Sequence, residues 1–404
     1  MQKKLISHLV AGALLAVGAS ASAQTFSNDA VNIGVLTDLS GIYSAIEGPG
    51  AVVAAEMAVE DFGGKVLGKS INIVSADTQS KADLSSSKAR EMFERDNVDM
   101  IVGNVSTSSA LAAMEVADQM KRVALVTGAA SLPITNERCN AYTVHWVYDT
   151  YALAHGTGSA VVATGKKTWF FVTADYAFGH TLQRDTTQVV EASGGKVVGS
   201  VAHPIKTNDF ASYLAQAQSS KAQVIALANA GGDTIGSIKQ AAELGIMGSD
   251  QTVVPLLMFT ADIRALGLRE TAGMNFTVGW YWDFNDANRK FAERFMKRFK
   301  GVAPTSVQAG VYSATMNYLK AIEQTKTDNS DAVMKYLKST PIDDGLFKGV
   351  IRPDGKFEHD MYLLQVKSPK ESKNKNDVAK VARVIAAKDA TLPLSQSKCK
   401  LVTK

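Results

Sequence analysis

Small hydroxyl side chains gather at Asn104-Val105-Ser106-Thr107-Ser108-Ser109, where the apolar run Ile101–Val102 gives way to a helical pattern over Ala110–Met120. A buried strand that feeds a helix in this way leaves free backbone N–H groups beside hydroxyl donors, a setting suited to a carboxylate or a similar anion. Asn104, Ser106 and Thr107 are the candidate donors of this stretch. The same residues also describe an ordinary strand-to-helix turn capped by Ser or Thr.

Other chemistry is hard to find. The histidines after the leader, His145, His155, His180, His203 and His359, are scattered without metal-ligand spacing, so no metal or other cofactor is expected. There is no G-x-S-x-G elbow and no G-x-x-x-x-G-K-[ST] loop. Gly231-Gly232-Asp233-Thr234-Ile235-Gly236 lacks the lysine of a phosphate loop and reads as a backbone turn at a strand end. Weight moves from catalysis to binding without turnover, and no enzyme is expected.

The elements that would position the turn alternate strand with helix. Val31–Leu36, Ile71–Ala76 and Val98–Val102 read as strands, separated by helices over Gly50–Phe62 and from an Asp83 cap to about Arg95. Such alternation implies βαβ units and a mainly parallel sheet. The order then repeats. Thr168–Val172 and Gln223–Ala228 read as strands, and Gly194-Gly195-Lys196-Val197-Val198-Gly199 echoes Gly63-Gly64-Lys65-Val66-Leu67-Gly68. Asn229 ends its strand as Asn104 does. Ligands of open α/β sheets bind beyond the carboxyl ends of the strands, so two facing sheets predict a cleft between lobes. Later, Thr277–Asp283 is rich in aromatic residues; alternation would put Trp280 and Trp282 on one face and Tyr281 on the other. Helices over Ala287–Phe299, Val307–Gln324 and Asp331–Ser339 precede a hairpin, Lys348–Arg352 and Lys356–Val366, with an Asp354-Gly355 turn. Residues 367–377 read as a solvated loop.

Length and charge agree with an exported two-lobed protein. Of 404 residues, the first 23 have the basic, apolar and small-residue order of a secretory signal, ending Ala21-Ser22-Ala23. No cysteine near that point offers a lipid anchor. Without Lys3 and Lys4 the 43 basic side chains become 41, against 39 acidic, a net charge of +2 that signals neither nucleic acid nor a membrane surface. About 380 remaining residues exceed one usual core. Cys139 and Cys399 are the two cysteines, and in an oxidising compartment they are expected to pair, the alternative being two free thiols.

The residues Ile33-Gly34-Val35 and Asp38-Leu39-Ser40-Gly41, the Gly63–Gly68 run, Asp77, Ile101–Asn104 with Ser106–Ser109, Tyr176-Ala177-Phe178-Gly179 and Gly245, in that order behind a signal, resemble the type I periplasmic solute-binding proteins of ABC importers, in the leucine/isoleucine/valine-binding group. The resemblance covers nearly the whole mature chain. It implies an α/β clamshell of two Rossmann-like lobes with parallel sheets flanked by helices and three hinge crossings, near His145–Asp149, Gly279–Asp283 and Pro341–Gly345. The lobes would comprise residues 24–147 with 280–341, and 148–279 with 342–404, the C-terminal hairpin and tail falling in the second. It also implies a monomeric periplasmic receptor that hands a small solute to permease and ATPase subunits. By the same resemblance Thr107, the backbone of Ala129, and Ser131 would hold a solute carboxylate. Phe178 would stand where the family has a ligand-facing tyrosine, and Asp262 near its acid for an ammonium. If Asp262 only caps the helix that follows, the solute is an aromatic or other amine-free carboxylate, walled by Tyr43, Tyr151, Tyr176 and Trp280. A sensory partner of a membrane signalling protein would use the same clamshell.

Overall fold

A computed structural model describes residues 26–403; the expected signal segment lies outside them. The first sheet is built from β1 (Ala30–Thr37), β2 (Lys65–Val66), β3 (Lys69–Asp77), β4 (Met100–Gly103), β5 (Val123–Val126) and β6 (Thr143–His145), in the order β2-β3-β1-β4-β5-β6. All neighbours are parallel except the β2–β3 pair. Three helices intervene: α1 (Gly48–Phe62), α2 (Ala82–Glu94) and α3 (Thr107–Gln119). Val31, Ile33 and Val35, with Met100, Val102, Val123 and Leu125, pack into one core, whereas Leu36, Ile101, Ala124 and Val126 pack into another with α2 and α3. That is the two-faced burial of a doubly covered parallel sheet.

After β6 the chain crosses over and forms α4 (Thr150–Leu153), a π-helical turn at Ala154–Gly158 and α5 (Ser159–Val162). The second unit follows as β7 (Thr168–Ala174), α6 (Ala177–Ala192), β8 (Lys196–His203), α7 (Ala211–Ser219), β9 (Val224–Ala228), α8 (Gly232–Glu243) and β10 (Thr252–Pro255). Its sheet runs β10-β9-β7-β8, all parallel. Next come α9 (Thr260–Leu266), α10 (Leu268–Thr271) and β11 (Asn275–Val278); α11 (Asp286–Arg298), α12 (Ser306–Thr325) and α13 (Ser330–Ser339) follow. Two small antiparallel sheets complete the fold. One joins β12 (Ile342–Asp343), β13 (Lys348–Ile351) and β14 (Phe357–His359). The other has β15 (Met361–Val366) between β11 and β16 (Ala379–Ile385), and α14 (Ala387–Ala390) follows.

Several expectations are corrected. Lys81, not Asp83, holds the N-cap position of α2, and Asp83 lies in its first turn. The Asp354-Gly355 turn does close a hairpin, with Arg352 N–H donating to the Lys356 carbonyl, but its second strand ends at His359 and β15 pairs with β11 instead. The charged stretch past residue 377 contains β16. Residues 342–404 do not all follow the second lobe. Lys356 bridges to His145 of the first sheet, and Cys399 is bonded to Cys139, with 5.6 Å between their Cα atoms. The tail therefore returns to the first sheet's side, tied there covalently. Trp280 to Trp282 form no strand. Trp280 packs edge-on against Phe291, 5.9 Å between centroids, while the Tyr281 hydroxyl donates to the Ala379 carbonyl and the Trp282 indole to that of Asn376. These rings fix the crossing after β11 and do not share a face as a strand would arrange them.

Candidate binding site

The carboxyl ends of the two main sheets face each other across a narrow cleft. Its walls are Tyr43, Ile46, Val105, Gly128, Ala130 and Tyr148 on one side and Tyr176, Phe178, Ala230, Leu257 and Phe259 on the other. No charged side chain is among them. The cavity measures about 10 Å³, which is the room of a single water, so an organic solute needs the cleft to widen. Tyr43 and Tyr176 reach across it, their hydroxyls 2.9 Å apart, and burial raises both phenols above their ordinary pKa, keeping them neutral. Tyr148 donates to the Gly128 carbonyl at 2.7 Å and meets the ring of Phe259 edge-on.

Three hydroxyls one or two positions along the chain from wall residues are buried without a hydrogen-bond partner among the described residues: Thr107 Oγ1, Ser131 Oγ and Thr260 Oγ1. Thr107 opens α3, two residues past the wall residue Val105. Ser131 precedes the 3-10 turn Leu132–Thr135, one residue past Ala130, and Thr260 opens α9, one past Phe259. Thr107 and Thr260 open α-helices, where negative charge is favoured, whereas Ser131 precedes a four-residue 3-10 turn whose first N–H, that of Leu132, already donates to Thr150 Oγ1. A buried polar group without a partner costs about 1–3 kcal/mol, an expense that a bound acceptor would remove.

The other expected residues divide. Tyr43, Tyr176 and Phe178 line the cleft. Asn104 adopts a left-handed conformation (φ 68°) that turns the chain, with its N–H donating to Leu36, its carbonyl accepting from Ala129 and its side-chain oxygen 3.5 Å from the Ser85 hydroxyl. The Ala129 backbone is thereby occupied on both sides, since its carbonyl also lies 2.6 Å from His145 Nε2. That imidazole is held neutral, its pKa lowered to about 4 by burial, so Nε2 is the donor. Ser106 shares its hydroxyl with Ser108 at 3.2 Å. Asn229 is enclosed in its own lobe by His203, Ser237 and Thr234. Tyr151 stacks on His155, centroids 3.7 Å apart, away from the cleft walls, and Trp280 belongs to the crossing. Asp262 accepts the N–H of Phe259 at 2.9 Å; burial lifts its pKa to about 7, and it is not among the wall residues. α9 begins at Thr260 with Phe259 at its N-cap, so Asp262 lies in the first turn and its carboxyl reaches back to the N-cap N–H.

The sequence reading puts the stretch Phe259–Asp262 along the cleft, Thr260 included, without singling out its hydroxyl. Glu47 escapes it altogether. It is fully buried, and the hydroxyls of Thr37 and Thr127 donate to its two oxygens at 2.6 and 2.7 Å.

Among the described residues no cluster of His, Cys, Asp and Glu could hold a metal ion, and no helix is long and apolar enough to cross a membrane. Comparison with known proteins adds independent findings. Residues 30–375 match the family model described as periplasmic binding protein. A solved periplasmic binding protein from Burkholderia mallei is 49% identical, covers 93% of this chain and 100% of its own, and superposes with a TM-score of 0.91. A branched chain amino acid ABC transporter periplasmic ligand-binding protein from Burkholderia xenovorans LB400 is 38% identical, with 92% and 100% covered and a TM-score of 0.82. Leu/Ile/Val-binding protein homolog 6 of Brucella melitensis biotype 1 is 28% identical over 315 residues, covering 76% of this chain and 79% of that protein.

Proposed function

The chain belongs to the periplasmic binding protein family, and from that premise we propose that its cleft captures a small solute with a carboxylate on an apolar or aromatic body. Like its family, it is a periplasmic substrate-binding component of ABC importers, passing solute to a membrane permease and doing no chemistry on it. The observation that carries the ligand reading is the set of hydroxyls buried without a partner among the described residues, Thr107, Ser131 and Thr260, one or two positions along the chain from walls made of aromatic and aliphatic groups. The hydroxyls at helix N-termini, those of Thr107 and Thr260, suit an anion, and the walls suit a body without charge. A monomer freed of residues 1–23 is the form we infer to be active.

Whether the solute carries an amine turns on its counter-charge. Asp262 serves α9, and no acid lines the wall, which favours an amine-free aromatic acid. The branched chain amino acid description of the 38% identical structure supports an amino acid as the second reading. Thermal-shift measurements with benzoate, phenylacetate, L-leucine and L-phenylalanine separate the two, because a ligand of the native state raises the transition temperature. Stabilisation by the aromatic acids alone is the expected result. Stabilisation by the amino acids alone would decide for the second reading, and no response to any of the four would remove the carboxylate assignment.

A further inference from the structure

Glu47 stands at the N-cap position of α1, and its carboxyl fills the space where the ends of β1, β4 and β5 converge. A Cβ on Gly128, itself a wall residue, would lie 2.6 Å from Glu47 Oε1, and one on Gly103 would lie 3.4 Å from Oε2. The chain's own acid therefore sits at the base of both turns that lead to the anion-seeking hydroxyls. Thr107 is four residues past Gly103 and Ser131 three past Gly128, so their Cα atoms are within about 14 and 11 Å of those glycines even if fully extended.

Among the described residues, the surroundings of Glu47 supply no positive side chain. From the end of β1 comes the Thr37 hydroxyl, and from the end of β5 that of Thr127. Asp38, the charged side chain that acts on it, has the same sign and accepts the Gly41 and Tyr43 N–H groups and the Ser80 hydroxyl. Tyr148 faces it from the first crossing, and from α12 the Gln308 amide donates to the Glu47 carbonyl. Both partners of the carboxyl are hydroxyls, which can accept as well as donate, so the pocket holds the acid in either protonation state.

We propose that Glu47 is the charge selector of the cleft: its carboxyl keeps its proton when a solute carboxylate is seated at the neighbouring turns, and its ionisation expels the anion. This rests on the carboxylate reading of the cleft. Burial raises the pKa of Glu47 to about 7, so the proton is held below neutrality and released above it. Two like charges about 10 Å apart at an effective dielectric of about 20 repel enough to change affinity roughly tenfold. Capture of an anion near neutral pH should therefore take up a proton.

The test is calorimetric titration of the mature protein with sodium benzoate and, separately, L-leucine at pH 6 and pH 8, in buffers of differing ionisation enthalpy. The expected result is benzoate binding roughly tenfold tighter at pH 6, with net proton uptake near pH 7, and Glu47→Gln binding it equally at both pH values. Carbon NMR of glutamate-labelled wild type follows the Glu47 carboxyl directly and needs no variant. Its titration should move to higher pH on adding benzoate. An unmoved titration, or benzoate affinity that does not change with pH, overturns the inference while leaving the receptor reading intact. Binding of L-leucine with proton release instead would make Glu47 an ammonium partner and overturns it too. If neither acid binds, the carboxylate reading fails and takes the inference with it.

Discussion

Thr107 shows how a single side chain can oppose stability and serve binding. Its hydroxyl is buried at the start of α3 without a partner among the described residues. Thr107→Val keeps the shape and removes the orphaned group, so unfolding in urea is expected to need the same or slightly more free energy. Carboxylate affinity, measured by calorimetry, should fall by roughly 1.5–3 kcal/mol, the worth of a hydrogen bond to a charged group. Unaltered affinity would place the anion elsewhere. Asp262 gives a prediction in pH. Its carboxyl pKa is raised from 3.8 to about 7, with burial the leading cause. Between those values the native protein holds a proton on Asp262 that the unfolded chain has released, so this group's contribution to stability falls as pH rises from about 4 to 7 and then levels. Asp262→Asn, whose side-chain oxygen can still accept the Phe259 N–H, should flatten that slope in urea unfolding across pH 4 to 8. The same variant should leave benzoate affinity unchanged, as befits a carboxyl that serves the N-cap N–H of α9. The residue scale is also where the sequence was least complete. The hydroxyl-rich turn Ser106–Ser109 is a local pattern after a strand end, whereas Thr107 and Ser131 as carboxylate holders come from the family resemblance. Glu47 could be picked out from neither, because what makes it unusual is Thr127, 80 positions away, and a pair of strand-end glycines.

Elements were far more legible, for a physical reason: a doubly covered parallel sheet writes its burial into continuous apolar runs, and β4 and β5 are buried at every position. What stayed hidden were elements whose stability is not local. β16 exposes Lys380, Ala382, Arg383 and Val384 and buries only its ends, and it is a strand because β15 offers an edge. Alternation alone puts Trp280 on a strand face, whereas the fold ends β11 at Val278 and packs that indole against α11. The C-terminal tail has no core of its own and is held by the Cys139–Cys399 bond, which closes a separation of 260 residues. Cross-links of long loops act chiefly on the unfolded chain, so Cys399→Ser is expected to cost roughly 2–5 kcal/mol. Equilibrium unfolding of this variant against the oxidised parent measures it. A loss under about 1 kcal/mol would mean that the unfolded chain is already compact around the tail.

At the scale of the whole molecule, the lobes meet across the cleft, and the contact has a definite anatomy. Besides the Tyr43–Tyr176 hydroxyl pair, the Ile42 carbonyl accepts the Gly232 N–H at 3.4 Å, and Gly231 lies under the Tyr43 ring. Gly231 has φ 57° and ψ −127°, a conformation open in practice to glycine alone. A Cβ there would stand 2.7 Å from the Ile42 carbonyl and 2.9 Å from Tyr43 Cδ1, both across the cleft. The latch and the solute therefore draw on one closing motion. A ligand shifts the equilibrium only by its preference for one state, so closure already favoured by the latch leaves less of it for the solute to drive. Tyr43→Phe with Tyr176→Phe keeps both rings and removes the hydroxyl pair. It should make the unliganded protein more open, seen as a larger radius of gyration by small-angle scattering, and should enlarge the contraction on adding a saturating ligand. Gly231→Ala should open the unliganded form further and also weaken binding, because the closed state itself can no longer form without displacing Ile42. Identical scattering from parent and double variant, with and without ligand, would show that the tyrosine pair contributes nothing to closure and that the wall aromatics alone bring the lobes together.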